Sequence, residues 1–131
     1  MNMNMSKVNI KTKMKTKNAK LNRYPVFNAW MVQQGFTPEF KFLKDRRFKF
    51  DWAHTELLIA VECHGGAWIP GGGRHNRATG FLSDMERENL AVLAGWALLK
   101  ISPEMIQKGT AHQLVEKALI ELDPTKTYGE A

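Results

Sequence analysis

The chain has one cysteine, no acidic residue before Glu39, and no apolar run near the roughly 20 residues that span a bilayer. The single cysteine excludes an internal disulfide framework and agrees with a reducing compartment, with Cys63 expected as a small buried residue. No Cys-x-x-Cys spacing occurs, and adjacent Cys63 and His64 do not readily chelate one ion, which argues against a zinc centre built with His75. The opening segment "MNMNMSKVNIKTKMKTKNAK" lacks a hydrophobic signal core, so a soluble cytoplasmic protein without membrane association is expected. Internal repeats are absent too. The sequence of 131 residues, 44% hydrophobic, suffices for one domain with a core.

The net charge of +6 is unevenly placed. Lys7, Lys11, Lys13, Lys15, Lys17, Lys20 and Arg23 precede every acid, and the remainder carries 12 basic against 13 acidic residues. Residues 1–22 therefore read as a basic arm, low in apolar content, disordered alone and drawn to polyanions by counterion release. Nucleic acid is the polyanion this favours. A solubilising tail, translation from a start codon ahead of Met14, or a presequence poor in Arg and Ser are the other readings. Residues 23–123 are expected to form the domain and residues 124–131 a C-terminal tail.

Within the domain, Pro25 opens a helix to about Gln34 with Val26, Phe27, Trp30 and Met31 on one side, and Gly35 ends it. "EFKFLKDRRFKFDWAHTELLIAVEC" offers three antiparallel strands near Phe40 to Leu43, Arg47 to Ala53 and Leu57 to Cys63. The first two alternate aromatic and charged residues as half-exposed strands do, whereas "LLIAVEC" reads as a buried central strand. Six of the ten glycines fall within Gly65 to Gly80, where no regular structure is expected. Ser83 and Glu86 have capping-box spacing, starting a helix that turns Met85, Leu90, Leu93 and Ala94 to a core and stops at Gly95. "WALLKIS" predicts a strand parallel to the central one. Ser102 and Pro103 open a short helix ended by Gly109, and Thr110 with Gln113 predicts the cap of a last helix. The order αβββαβαα indicates an α/β fold with a mixed sheet and C-terminal helices.

Asp51 and Glu62 stand out because both lie in apolar strands. Carboxylates held close repel unless one is protonated or a cation sits between them, and hard divalent cations prefer oxygen ligands. A Mg²⁺ site, in which Mn²⁺ can substitute, is the simplest account.

The pattern of Asp51 followed by Glu62-Cys63-His64 in an αβββαβ order resembles the PD-(D/E)XK superfamily of metal-dependent nucleases. "PEFKFLKDRRFKFDWA", "AVECHGGAWIPGGGRH" and "GFLSDMERENLAVLAGWALLKIS" are similar to small phage-type endonucleases related to very-short-patch repair endonucleases, over about Pro38 to Ser102. The resemblance implies a restriction-endonuclease-like core, DNA as partner, and the cytoplasm of a bacterial or phage-infected cell. It assigns Asp51 and Glu62 to the metal, the Cys63 carbonyl as a backbone ligand, and Glu39 to a second metal or to water. His64 stands where the superfamily usually has lysine, and an imidazole, unlike an ammonium, is mostly neutral at pH 7. His75 is a candidate acid for the leaving oxygen, and Arg47, Arg74, Arg77 and the arm lysines Lys11, Lys13, Lys15 and Lys17 are candidates for phosphate contact. Arg87 and Asn89 could face the site, although solvated positions are commoner for such residues. The expected activity is phosphodiester hydrolysis in a duplex, mismatch, flap or four-way junction, the last calling for two coordinated cuts and hence a homodimer. The alternative is a nucleic-acid-binding protein that keeps the fold without catalysis.

Overall fold

In the computed structural model, which describes residues 19–65 and 74–125, a proline and a glycine delimit the first long helix. Pro25 occupies its first turn, where a missing N–H costs nothing, and Gly35 at φ 99° follows its C-cap Gln34. Gly35 N donates to the Val32 carbonyl at 3.0 Å and Phe36 N to the Met31 carbonyl at 3.0 Å, the paired bonds of a Schellman turn. The helix is α2 (Pro25–Gln33), preceded by a single turn α1 (Ala19–Asn22) within the segment assigned to the arm. Phe27 and Met31 of α2 are buried as expected, whereas Val26 is exposed.

The chain divides into two compact units, Met1–Thr55 and Glu56–Ala131. The first continues through β1 (Thr37–Lys41) and β2 (Lys49–His54), paired antiparallel with Thr37 opposite Ala53 and Lys41 opposite Lys49. The expected half-exposure of β2 is corrected: Phe50, Asp51, Trp52 and Ala53 are all buried. Aromatic packing accounts for this, since the Phe42 ring stacks on Phe50 at 4.2 Å and Phe27 meets Trp52 edge-on at 5.2 Å.

The second unit pairs β3 (Ile59–Cys63), buried throughout, in parallel with β4 (Ala97–Ile101), which comes after the helix α3 (Arg74–Leu93). Two short helices close it, α4 (Pro103–Lys108) and α5 (Thr110–Glu121). With an antiparallel strand pair in the first unit and a parallel pair joined through a helix in the second, the architecture is α/β with mixed strand pairing. No helix among the described residues is long and apolar enough to cross a membrane.

Three expectations in this unit are corrected. Helix α3 starts at Arg74, nine residues before Ser83, so it runs through Gly80 and the Ser83–Glu86 pair lies inside it. One glycine costs a helix only about 1 kcal/mol, which neighbouring turns offset. The buried phase of α3 also differs: Ala91 is buried, while Leu82, Met85, Val92 and Leu93 are exposed. Two charged residues of α3 pair with the strands instead, Arg87 with Glu62 of β3 and Glu88 with Lys100 of β4. Third, Thr110 does not cap α5; Gly109 is the N-cap, and the Thr110 hydroxyl donates to the Met105 carbonyl at 3.4 Å. The other ends match expectation. Ser102 Oγ accepts from Met105 N at 3.2 Å, Gly109 adopts φ 83°, and α3 ends in a Schellman turn at Gly95 with Trp96 N donating to the Ala91 carbonyl at 2.9 Å.

Candidate functional site

Residues two apart on an extended strand project to one face. Glu62 ends the apolar part of β3 and His64 follows its last residue, so both share a face, with the buried Cys63 between them. The ladder continues under His64, whose N–H donates to the Ile101 carbonyl at 2.8 Å and thereby fixes the backbone that carries the imidazole. Glu62 is only 2% exposed, and its Oε1 lies 3.5 Å from His64 Nε2. That separation is too long for a useful hydrogen bond, and both atoms are buried with no hydrogen-bond partner among the described residues.

The other carboxylate oxygen is engaged. Glu62 Oε2 accepts from Arg87 Nη1 of α3. Arg87 is 14% exposed, and its Nη2 donates to Asp84 Oδ1 at 3.2 Å, one turn earlier on the same helix. The expectation of a solvated Arg87 is thus corrected, while Asn89 is exposed. Lys100 is the register partner of Glu62 in the parallel pair, yet its Nζ pairs with Glu88 Oε2 at 2.5 Å. Burial makes an uncompensated carboxylate expensive, and Arg87 supplies the countercharge to one oxygen while leaving the other bare.

The remaining candidates fall elsewhere. Asp51 is buried in β2, 8% exposed, and takes part in interactions there. Glu39 lies in β1 at φ 52°, a left-handed conformation uncommon for a residue with a side chain. The pairs Pro38–Trp52 and Phe40–Phe50 bracket Glu39 and Asp51, which puts the two acids at opposed register positions of the hairpin. Arg47 is exposed ahead of β2. Arg74, His75 and Arg77 sit in the first turn of α3, in a helix where a loop was expected, and their side chains lie outside those the structure describes. Lys11, Lys13, Lys15 and Lys17 lie outside the described residues.

Among the described residues, no three or more His, Cys, Asp or Glu side chains converge as a metal-binding group. Mg²⁺ needs fewer, since it is usually held through one or two carboxylates with water filling the shell. Glu62 Oε1 and His64 Nε2 could supply two donors to one cation, and each lacks another partner among the described residues. An imidazole nitrogen beside a carboxylate oxygen suits Mn²⁺ better than Mg²⁺, which prefers oxygen throughout. No family model, curated protein or solved structure matches this chain.

Proposed function

We propose that the chain is a metal-dependent DNA endonuclease of the PD-(D/E)XK type, with Glu62 and His64 at its catalytic edge. The observation that carries this reading is the bare Glu62 Oε1 facing His64 Nε2 at 3.5 Å in a buried setting. A fold gains nothing from two buried polar atoms left unmatched, whereas a cation would use both. A bound divalent cation would lower the pKa of its water and offset charge on the phosphoryl group. Glu62 then serves as a fixed carboxylate donor, held in place by the strand and by Arg87. His64 fills the remaining position of the edge, where its nitrogen orients water or binds the cation. The resemblance adds Asp51 as the second acid, Glu39 as an accessory acid and His75 as a proton donor to the leaving oxygen. The basic arm supplies affinity for the DNA backbone without sequence choice.

One observation favours a second reading, that of a nucleic-acid-binding protein without catalysis. The Arg87–Glu62 ion pair already neutralises the buried carboxylate with no metal. Cleavage separates the two readings. Labelled duplex, single strand, flap and four-way junction are incubated with Mg²⁺, Mn²⁺ or chelator. The endonuclease reading expects cation-dependent cutting of at least one substrate, faster with Mn²⁺, and loss of at least roughly 100-fold in Glu62→Gln and Asp51→Asn, as for removal of one transition-state-stabilising group. Binding without cleavage in any cation selects the second reading. Wild-type rates in either variant show that the site is misassigned.

A further inference from the structure

Arg87 stands between two carboxylates that differ in exposure. Glu62 is 2% exposed in β3, whereas Asp84 is 53% exposed and lies one turn before Arg87 on the same helix. Nη1 serves the first and Nη2 the second. Like charges on the two oxygens of one carboxylate repel, so a divalent cation at Glu62 Oε1 would weaken the hold of Arg87 on Oε2. Arg87 need not be stranded when that happens, because Asp84 already accepts from it at 3.2 Å. Lys100 is no substitute at Glu62, being committed to Glu88 at 2.5 Å.

We propose that Arg87 is an exchangeable counter-ion, which neutralises Glu62 in the metal-free protein and passes wholly to Asp84 when a divalent cation takes the Glu62 carboxylate. The inference rests on the cation-binding reading of Glu62 and His64 given above and supplies its regulation. Each carboxylate keeps a countercharge through the exchange: Glu62 trades its share of Arg87 for the cation, and Asp84 gains the full share of Arg87. Arginine suits the task, since its planar fork addresses two acceptors at once and stays charged at any working pH. The cost of removing Arg87 from Glu62 is subtracted from the binding energy of the cation, which makes Arg87 a brake on loading.

The test needs no DNA and no activity. Mn²⁺ binding to the full chain is measured by calorimetry or by the electron paramagnetic resonance of free Mn²⁺, for wild type, Arg87→Met, Asp84→Asn and the double variant. Methionine keeps much of the apolar stem while removing the competing charge. Arg87→Met should bind Mn²⁺ on the order of tenfold more tightly, the size of an ordinary coupling between two sites. Asp84→Asn should bind several-fold more weakly in the wild-type background and be nearly silent beside Arg87→Met, where no guanidinium needs a refuge. Equal or weaker binding by Arg87→Met overturns the exchange, as does an Asp84→Asn effect of the same size in both backgrounds, which would be plain loss of a nearby charge. Should Arg87→Met fail to fold, the Arg87 Nε–Hε resonance of the wild type is followed during Mg²⁺ titration. A shift that saturates with Mg²⁺ binding supports the exchange, and a resonance that stays put while Mg²⁺ binds overturns it. The expected Mn²⁺ pattern in a protein that cuts no DNA upholds the exchange and rejects the endonuclease. Absence of Mn²⁺ binding in every variant rejects both.

Discussion

Two buried polar pairs, one in each unit, are built in opposite ways. In the first unit Trp52 Nε1 donates to Asn28 Oδ1 at 2.7 Å, with both residues fully buried and the Phe27 ring set edge-on against the indole. In the second, the atoms Glu62 Oε1 and His64 Nε2 are buried and face each other at 3.5 Å without a hydrogen bond, although the His64 side chain as a whole is 34% exposed. A buried donor that meets a buried acceptor stabilises its fold by about 0.5–1.5 kcal/mol, while an unmatched group costs about 1–3 kcal/mol. The matched pair belongs to the core, and the unmatched one is where an added ligand has something to supply.

If that contrast is right, the largest loss of stability should come from the matched side. Trp52→Ala removes a fully buried indole and leaves Asn28 one donor short, for an expected loss of about 3–5 kcal/mol by urea denaturation. A loss below about 1 kcal/mol would erase the distinction between the regions, because a core tryptophan of this kind is never so cheap.

Much of this framework was legible in the residues. Pro25, Gly35, Gly95, Ser102 and Gly109 mark element ends through chemistry local to each: a fixed φ, a left-handed conformation, or a side-chain acceptor for a free N–H. The apolar run of β3 marks a buried strand, and its parallel partner follows from the intervening helix. Glu62 and His64 were legible as candidates, and their spacing of two on a strand was the signal that they share a face. Arg87 was not. Helix phase was read from Met85, Leu90 and Leu93, but α3 directs Arg87 and Glu88 at partners on β3 and β4 and leaves Leu93 exposed. Hydrophobic periodicity cannot register a helix face whose inward contacts are ion pairs. Likewise the start of α3 was hidden because glycines at 71 to 73 and 80 resemble a single loop, although only the first three precede the helix.

A smaller effect is expected on the unmatched side. Glu62→Gln keeps the shape of the side chain and an oxygen for Arg87, while removing the charge. The charged hydrogen bond becomes an ordinary one, and urea denaturation should register a loss of about 1–2 kcal/mol. Mn²⁺ binding, by contrast, should fall below detection in the same protein. A stability loss equal to that of Trp52→Ala would make Glu62 chiefly a structural ion pair and undo the contrast.

The smallest effect separates the charge of Arg87 from the order of the helix that carries it. Gly80 lies inside α3 on an exposed stretch, and a Cβ added there would meet nothing within 4 Å. Its φ is not in the left-handed region, so alanine fits the backbone as it stands. Gly80→Ala should therefore stabilise α3 by about 0.5–1 kcal/mol, mainly by reducing the freedom of the unfolded chain, and raise the urea midpoint slightly. Nothing in that change touches Glu62, His64, Asp84 or Arg87. Mn²⁺ affinity should then stay at the wild-type value, in contrast to its tightening in Arg87→Met. If Gly80→Ala alters Mn²⁺ affinity as strongly as Arg87→Met does, the controlling variable is how well α3 is ordered rather than which carboxylate its arginine holds.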